Sequence, residues 1–398
     1  MKGDNQMKEV VIVGAARTAI GTMGGTIKDV HPSELGAIAI KEALQRAGVA
    51  AESVEEVIVG NVGQVAENAF IARMCAIGAG IPTHSTALAV NRLCGSGLQA
   101  INSAVQAIQT NQADIIVAAG TENMDLLPYY VRKGRYGYKM GHDILEDGLL
   151  TALTDPFGKY AMGVTAEKVA ERFNVSREEQ DAFALKSQEK AKRAIENGYF
   201  DDEIVPVEVK GRRGEVTIFN KDEHPRDTSL EKLAKLKPAF VEGGTVTPGN
   251  ASGINQGAAA VVLMSKEKAD ELGLKPLAYV REQAVAGVDP EIMGFAPSPA
   301  VKKVLDKAGL TLDDIDLVEL NEAFAAQSVA VIKDLELDEE KVNPNGGAIA
   351  LGHPIGASGA LLTVKSIYDM KRRGLKRAII TMCIGGGQGI ATIIENAE

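Results

Sequence analysis

The sequence predicts an α/β protein made of two homologous halves with a segment of different texture between them. Three observations carry this reading: a helix–turn–strand unit that occurs twice, two further motifs that recur at nearly the same spacing, and a charge-rich middle with few strand-like runs. Residues 40–48 carry apolar side chains at helical spacing and stop at Ala47-Gly48, and residues 301–309 do the same with Ala308-Gly309. Each is followed by an acidic turn and a strand, over 57–60 in one case and 317–320 in the other. Gly95-Ser96-Gly97-Leu98 matches Ala357-Ser358-Gly359-Ala360, both opening a helix, and residues 114–120 match 377–383. The offset runs from 261 (40 to 301) through 262 (95 to 357) to 263 (114 to 377), a steadiness that defines a duplication. The halves are read as 1–123 and 272–398, each a mixed sheet with helices on its faces, and 124–271 as an insertion.

Within the insertion, Ser176-Arg177-Glu178-Glu179 is a capping box that starts a helix, which Asn197-Gly198 ends. Residues 243–253 form a loop dense in turn residues, and a loop of that kind is expected beside the active site.

Composition narrows the class of function. With 45% hydrophobic and 24% charged residues, 42 of the 398 being Gly, the chain is globular rather than disordered. The 43 basic and 53 acidic residues give a net charge of −10 with no concentrated basic segment, which argues against nucleic acid as a partner. Three widely spaced cysteines, Cys75, Cys94 and Cys383, suit neither a disulfide framework nor a metal site and point to a reducing compartment. The N-terminal residues lack an apolar signal core, the C-terminal residues carry no targeting tripeptide, and no apolar run approaches a membrane span, so a cytoplasmic location without membrane attachment is expected.

Four constellations could carry chemistry. In Asn91-Arg92-Leu93-Cys94-Gly95-Ser96-Gly97, Cys94 stands where a strand gives way to a helix N-terminus, whose amides and dipole favour thiolate. The flanking glycines would let a substrate approach the backbone. A cysteine is also a small hydrophobe, so position alone leaves a packing role open. His353 lies in the Gly- and Pro-rich run over 343–359, at the counterpart of Asn91, and if the halves pack about a pseudo-twofold axis it reaches Cys94 as a base. Cys383 ends a strand and precedes Gly385-Gly386-Gly387, whose amides are free to bind an oxyanion, although a tight hairpin would explain the same residues. Asn321 follows the strand at 317–320 and could place its amide in the same cleft or cap the next helix. Cys75, His31, His84, His142 and His224 lack such framing and read as structural or surface residues.

Together these motifs resemble the thiolases along essentially the whole chain. Cys94 in N-R-L-C-G-S-G is similar to the family's acyl-accepting cysteine, His353 in G-H-P-I-G-A-S-G to its histidine, Cys383 in C-I-G-G-G-Q-G to its second catalytic cysteine, and Asn321 in N-E-A-F to the residue that holds an oxyanion-site water. The resemblance implies a five-layered αβαβα fold with a loop domain, no permanently bound cofactor, and CoA and acyl-CoA as substrates. It also implies reversible condensation of acetyl-CoA with an acyl-CoA through an acyl-Cys94 intermediate, the Cys94 and Gly385 amides stabilising an oxyanion. Ser252 matches a position near the pantetheine, Met162 and Phe324 match acyl-pocket residues, and Arg226 a position near the CoA adenine and phosphate. Where short-chain biosynthetic thiolases carry Tyr-His-Met-Gly this chain has Tyr160-Ala161-Met162-Gly163, which leaves acetoacetyl-CoA and somewhat longer substrates both open. A homo-oligomer is implied, a tetramer favoured over a dimer, with residues 129–136 at the second contact. A decarboxylating ketoacyl synthase would have His or Asn in place of Cys383, and a non-catalytic acyl-CoA-binding relative would lack one of Cys94, His353 and Cys383.

Overall fold

A strand whose every side chain is apolar must be covered on both faces, and this requirement organises the molecule. The computed structural model describes residues 7–211 and 214–397; residues 1–6 and 398, on which part of the expected location rests, lie outside them. Strands β1 (Val10–Thr18), β2 (Glu56–Gly60), β3 (Thr86–Val90), β4 (Ile115–Asn123) and β5 (Asn255–Ser265) form a first half-sheet in the order β3-β2-β4-β5-β1. Strands β6 (Ala278–Gly287), β7 (Leu317–Leu320), β8 (Arg377–Ile384) and β9 (Gln388–Asn396) form a second in the order β7-β8-β9-β6. They join edge to edge between β1 and β6 through three pairs, Val10 with Val280, Val11 with Tyr279 and Ile12 with Ala278.

Alternation along the strands divides the core. Ile12, Ile116 and Val261 point into a cluster shared with helices α3 (Ser96–Gln109) and α8 (Ser358–Arg373), while Val11, Val117 and Val262 point into an outer cluster with α1 (Pro32–Ala47) and α2 (Ile71–Gly78). Helices α6 (Pro297–Ala308) and α7 (Ala325–Leu335) cover the outer face of the second half-sheet. The resulting layers run α, β, α, β, α, with α3 and α8 packed against each other in the middle. The duplication shows in detail: α1 and α6 both end on a left-handed glycine, Gly48 at φ 67° and Gly309 at φ 64°. β1, β2, β4 and β5 occupy the places of β6, β7, β8 and β9, and only an isolated bridge between Val318 and Val342 stands where the second half would need a counterpart of β3.

The limits expected for the insertion need one correction. Residues 255–265 were placed inside it, whereas β5 lies between β1 and β4, paired antiparallel with both and buried along its whole length. In the second half β8 turns straight into β9 over Gly385–Gly387; in the first half the corresponding turn between β4 and β5 is replaced by residues 124–254. The insertion therefore begins and ends at one strand-end, beside the equivalent of the Cys383 turn. It carries α4 (Met162–Arg172) and α5 (Arg177–Glu196), the latter with the expected capping box between Ser176 and Glu179. Arg17 of β1 ties it down, fully buried and paired with Glu203 at 2.6 Å and with Asp222 at 2.9 Å.

The crossing of α3 and α8 sets the distance between the two turns that precede them. A Cβ on Gly359 would overlap the Leu98 amide nitrogen, and one on Gly97 would lie 2.8 Å from Ala360 N. A Cβ on Gly95 would meet Ile384 Cδ1 at 2.7 Å. The glycines around Ser96 thus make room for other parts of the protein, and not for substrate as the sequence suggested. Gly359→Ala is expected to lower stability by about 1–3 kcal/mol through overpacking, read as a reduced urea midpoint with unchanged slope. An unchanged midpoint would show that the helices can part without loss.

Candidate active site

The Cys94 turn is held by local hydrogen bonds in a conformation a β-branched or bulky side chain resists. Leu93 has φ +45°, and Asn91 Oδ1 accepts from its amide at 2.9 Å. Ser96 Oγ accepts from Arg92 N at 2.9 Å and donates to Leu93 O at 2.6 Å. Cys94 is thereby lifted off the end of β3 just ahead of α3. Enclosure pushes its thiol up to about 11, against the opposing pull of the Gly385 amide and its own amide, and the nearby Glu122 carboxylate adds to the rise. The helix terminus favours thiolate and enclosure favours thiol, and with the thiol raised a neighbouring base is needed to ionise it.

His353 follows Gly352, whose φ of +109° and lack of a side chain let the chain turn against Asn255. Asn255, at the start of β5, accepts from His353 N at 2.8 Å and donates to Gly21 O at 2.8 Å, fixing the loop to the first half. The imidazole is buried, which lowers its pKa to about 4 and keeps it neutral. Nδ1 lies 2.6 Å from Ser358 Oγ, itself 2.9 Å from Pro354 O. The hydroxyl can accept from Nδ1–H while donating to Pro354, leaving Nε2 a base, or donate to Nδ1, leaving Nε2–H a donor. Asn321 Nδ2 lies 3.5 Å from Nδ1 and 3.4 Å from Nε2. A donor nearly equidistant from both nitrogens lies off their lone-pair directions, so Asn321 contacts the ring and keeps its hydrogen-bonding capacity for another group. It does not cap α7, whose N-cap is Phe324.

Cys383 is the penultimate residue of β8 and fully buried. Burial pushes its thiol well above the ordinary range, and the neighbouring Cys94 adds to the shift. Its Sγ lies 3.9 Å from Oε1 of Gln327, which also accepts from Ala323 N at 3.1 Å. The three-glycine run is indeed a hairpin turn, with Gly386 and Gly387 at φ +81° and +84°, and the same turn aims the Gly385 amide at Cys94. The hairpin and the site are one feature.

Cys94, His353, Cys383, Gly385, Ser252, Met162 and Phe324 line a single cavity of about 300 Å³, with Leu93, Ala161, Leu153, Phe240 and Met293 completing a largely apolar wall. The 243–253 loop reaches it as expected, through Ser252 N to Ala323 O at 3.0 Å and Ala325 N to Asn250 O at 2.8 Å. Phe240 packs edge-on against Phe324 with ring centres 6.1 Å apart. Asn321 lies behind His353, outside the lining. Arg226 is exposed and also outside it; its Nη2 approaches Nε2 of the buried His224 at 3.5 Å, and His224 packs on Gly253 of the lining. Glu122, Asn255, Gln327 and Ser358 were missed as functional candidates. Ser358 lies within the G-H-P-I-G-A-S-G motif, and its place five residues after His353 is the sequence signal for it. Among the described residues no cluster of three or more His, Cys, Asp or Glu could hold a metal, and no helix is long and apolar enough to cross a membrane.

Two thiols of different burial, a neutral imidazole with a hydroxyl relay and an inward-facing amide suit nucleophilic attack on a carbonyl followed by proton transfer at carbon. Ser358→Ala should leave Nδ1 unpartnered and lower kcat about 10- to 100-fold with KM nearly unchanged, measured by steady-state kinetics. Unaltered kcat would show that the hydroxyl has no part in setting the imidazole.

The family models of the thiolase N-terminal domain and the thiolase C-terminal domain match residues 10–267 and 274–396. The chain is 55% identical over 393 residues to an acetyl-CoA acetyltransferase of Syntrophomonas wolfei, covering 98% of this chain and 99% of the relative. It is 52% identical over 391 residues to a beta-ketothiolase of Cupriavidus necator, covering 98% and 99%. Among solved structures it superposes on the Bacillus anthracis acetyl-CoA acetyltransferase with TM-score 0.97 at 49% identity, covering 99% and 100% of the two chains. On the human mitochondrial 3-ketoacyl-CoA thiolase in complex with CoA the TM-score is 0.95 at 46% identity, covering 98% of each chain.

Proposed function

The chain belongs to the thiolase family, and from that premise we propose that it is an acetyl-CoA C-acyltransferase that makes and cleaves the carbon–carbon bond of short 3-ketoacyl-CoA thioesters. The observation that carries the reading is the convergence of Cys94, His353, Cys383 and the Gly385 turn on one apolar cavity from both halves of the duplication.

Cys94 gives its proton to Nε2 of His353 and attacks the thioester carbonyl, the oxyanion resting on the amides of Cys94 and Gly385. CoA leaves with that proton, and Cys94 remains acylated. Acetyl-CoA then enters. The Cys383 thiolate takes a proton from its methyl carbon, while the enolate oxygen is stabilised by Nε2–H of His353 and by a water on Asn321. Burial that raises the Cys383 thiol makes its thiolate a stronger base than a solvated one, which suits abstraction from carbon. It also makes the thiol the resting form, so its proton must first pass to His353. The carbanion attacks the acyl group, Cys94 departs as thiolate and recovers the proton held by Cys383, His353 returns its proton to Cys383 so that both thiols and the imidazole are neutral again, and 3-ketoacyl-CoA is released. Thiolysis is the reverse path, and the kinetics are ping-pong.

Ser252, Met162 and Phe324 line the cavity, which supports a role for Ser252 toward the pantetheine arm and for Met162 and Phe324 toward the acyl group, and the exposed Arg226 is assigned to the CoA phosphate. Residues 124–254 are taken as the loop domain that covers the substrate. Acetoacetyl-CoA is the favoured substrate; Ala161 and the apolar wall support acceptance of somewhat longer chains. The free thiols support a reducing, cytoplasmic setting. The hairpin formed by Tyr129–Tyr130 and Glu146–Asp147 lies next to exposed Tyr136, Met140, Ile144 and Leu145, an apolar set that supports association into a tetramer.

CoA-dependent cleavage of 3-ketoacyl-CoA substrates of increasing length tests the activity. The wild type should cleave acetoacetyl-CoA, and Cys94→Ser should fall by about 10⁴-fold or more. A sharp drop beyond acetoacetyl-CoA would limit the enzyme to acetyl transfer, and no cleavage of any substrate by folded protein would overturn the proposal. Light scattering at micromolar concentration should give a tetramer; a dimer would remove the second contact.

A further inference from the structure

The end of β4 carries a buried carboxylate that the reaction as written does not use. Glu122 is 1% exposed and takes four hydrogen bonds, two on each oxygen. Oε1 accepts from Asn61 Nδ2 at 2.9 Å and Gly63 N at 3.2 Å; Oε2 accepts from Val62 N at 2.9 Å and Gly356 N at 3.0 Å. Gly356 lies three residues beyond His353 in the same turn, and a Cβ on it would overlap Glu122 Oε2, so the turn is pressed directly on the carboxylate. Val62 leads to the other turn, since Asn91 Nδ2 donates to Val62 O at 3.3 Å while Asn91 Oδ1 accepts from Leu93 N at 2.9 Å. One side chain of the first half therefore holds both the loop that carries His353, through Gly356 234 residues away, and the loop on which the Cys94 turn rests.

We infer that Glu122 is a positioning residue that aligns Nε2 of His353 with the Cys94 thiol by fastening the two turns to one carboxylate. The inference rests on the thiolase reading of the site. Charge alone gives Glu122 no reason to be there, because a carboxylate beside Cys94 opposes thiolate formation. Its four donors fix geometry instead. Glu122 is the charged group that acts on the ionisation of the thiol, and the titratable His353 and Cys383, which line the same cavity, are unchanged in the test variants.

Positioning and through-space charge predict opposite changes in Glu122→Gln. Whichever way the amide turns, its NH₂ confronts two N–H donors, either those of Val62 and Gly356 or those of Asn61 and Gly63, so the turns must move. Lost alignment takes from Cys94 its base in the reaction and from the Cys94 thiolate its Nε2–H donor: kcat should fall about 100-fold with KM within about twofold, and the pH midpoint for alkylation of Cys94 by iodoacetamide should move up. Loss of charge with alignment intact would move that midpoint down and overturn the inference. Unchanged kcat and midpoint would overturn it as well. Glu122→Asp keeps the charge and withdraws the oxygens, so it should reproduce the fall in kcat and the upward midpoint, and it serves if the Gln variant does not fold. A wild-type protein that cleaves no 3-ketoacyl-CoA would instead remove the thiolase reading, a result the alkylation arm distinguishes because it needs no substrate.

Discussion

Helices α3 and α8 cross where Gly97 and Gly359 leave room for hydrogen only, and the turns ahead of them are held at a distance set by backbone against backbone. Everything at the site depends on that contact. Cys94 ends one turn and His353 opens the other, each contributed by a different copy of the duplicated unit. A duplication that packs its two copies through equivalent helices brings equivalent turns face to face, and chemistry needs only that the residues there differ. Asn91 and His353 hold corresponding places; one secures the backbone of its own turn, and the other presents a neutral imidazole to the cavity.

Burial then sets the electrostatics. It raises both thiols and lowers the imidazole, so the resting site is neutral: two thiols and a neutral base in a cavity with an apolar wall. Such a site does not hold a solvated thiolate in readiness. In the proposed mechanism ionisation is coupled to substrate, whose developing negative charge meets the amides of Cys94 and Gly385. The buried Arg17 pairs serve the same end from a distance, anchoring the insertion that supplies Met162, Phe240 and Ser252 to the wall.

The sequence exposes the duplication because α1 and α6 share an identical stop signal, and the G-S-G and A-S-G runs share one steric demand. Cys94, His353 and Cys383 are legible for a related reason: each stands in backbone that only special turns require. β5 was misplaced because its all-apolar run follows a long polar insertion, and chain order hides that it pairs with β1 and β4. Glu122 and Gln327 were not legible at all. Each acts by reaching across elements distant in sequence, and neither local pattern nor charge marks it. The glycines beside Ser96 were legible as close approaches, but what approaches them is the rest of the protein.

The division of labour between the two cysteines is the central claim, and mass spectrometry of the protein after incubation with acetyl-CoA tests it most directly. The account predicts one acetyl group mapped to Cys94 in Cys383→Ser, which then fails to condense, and none in Cys94→Ser. Acetylation of Cys383, or a Cys383→Ser protein that cannot be acetylated, would contradict it.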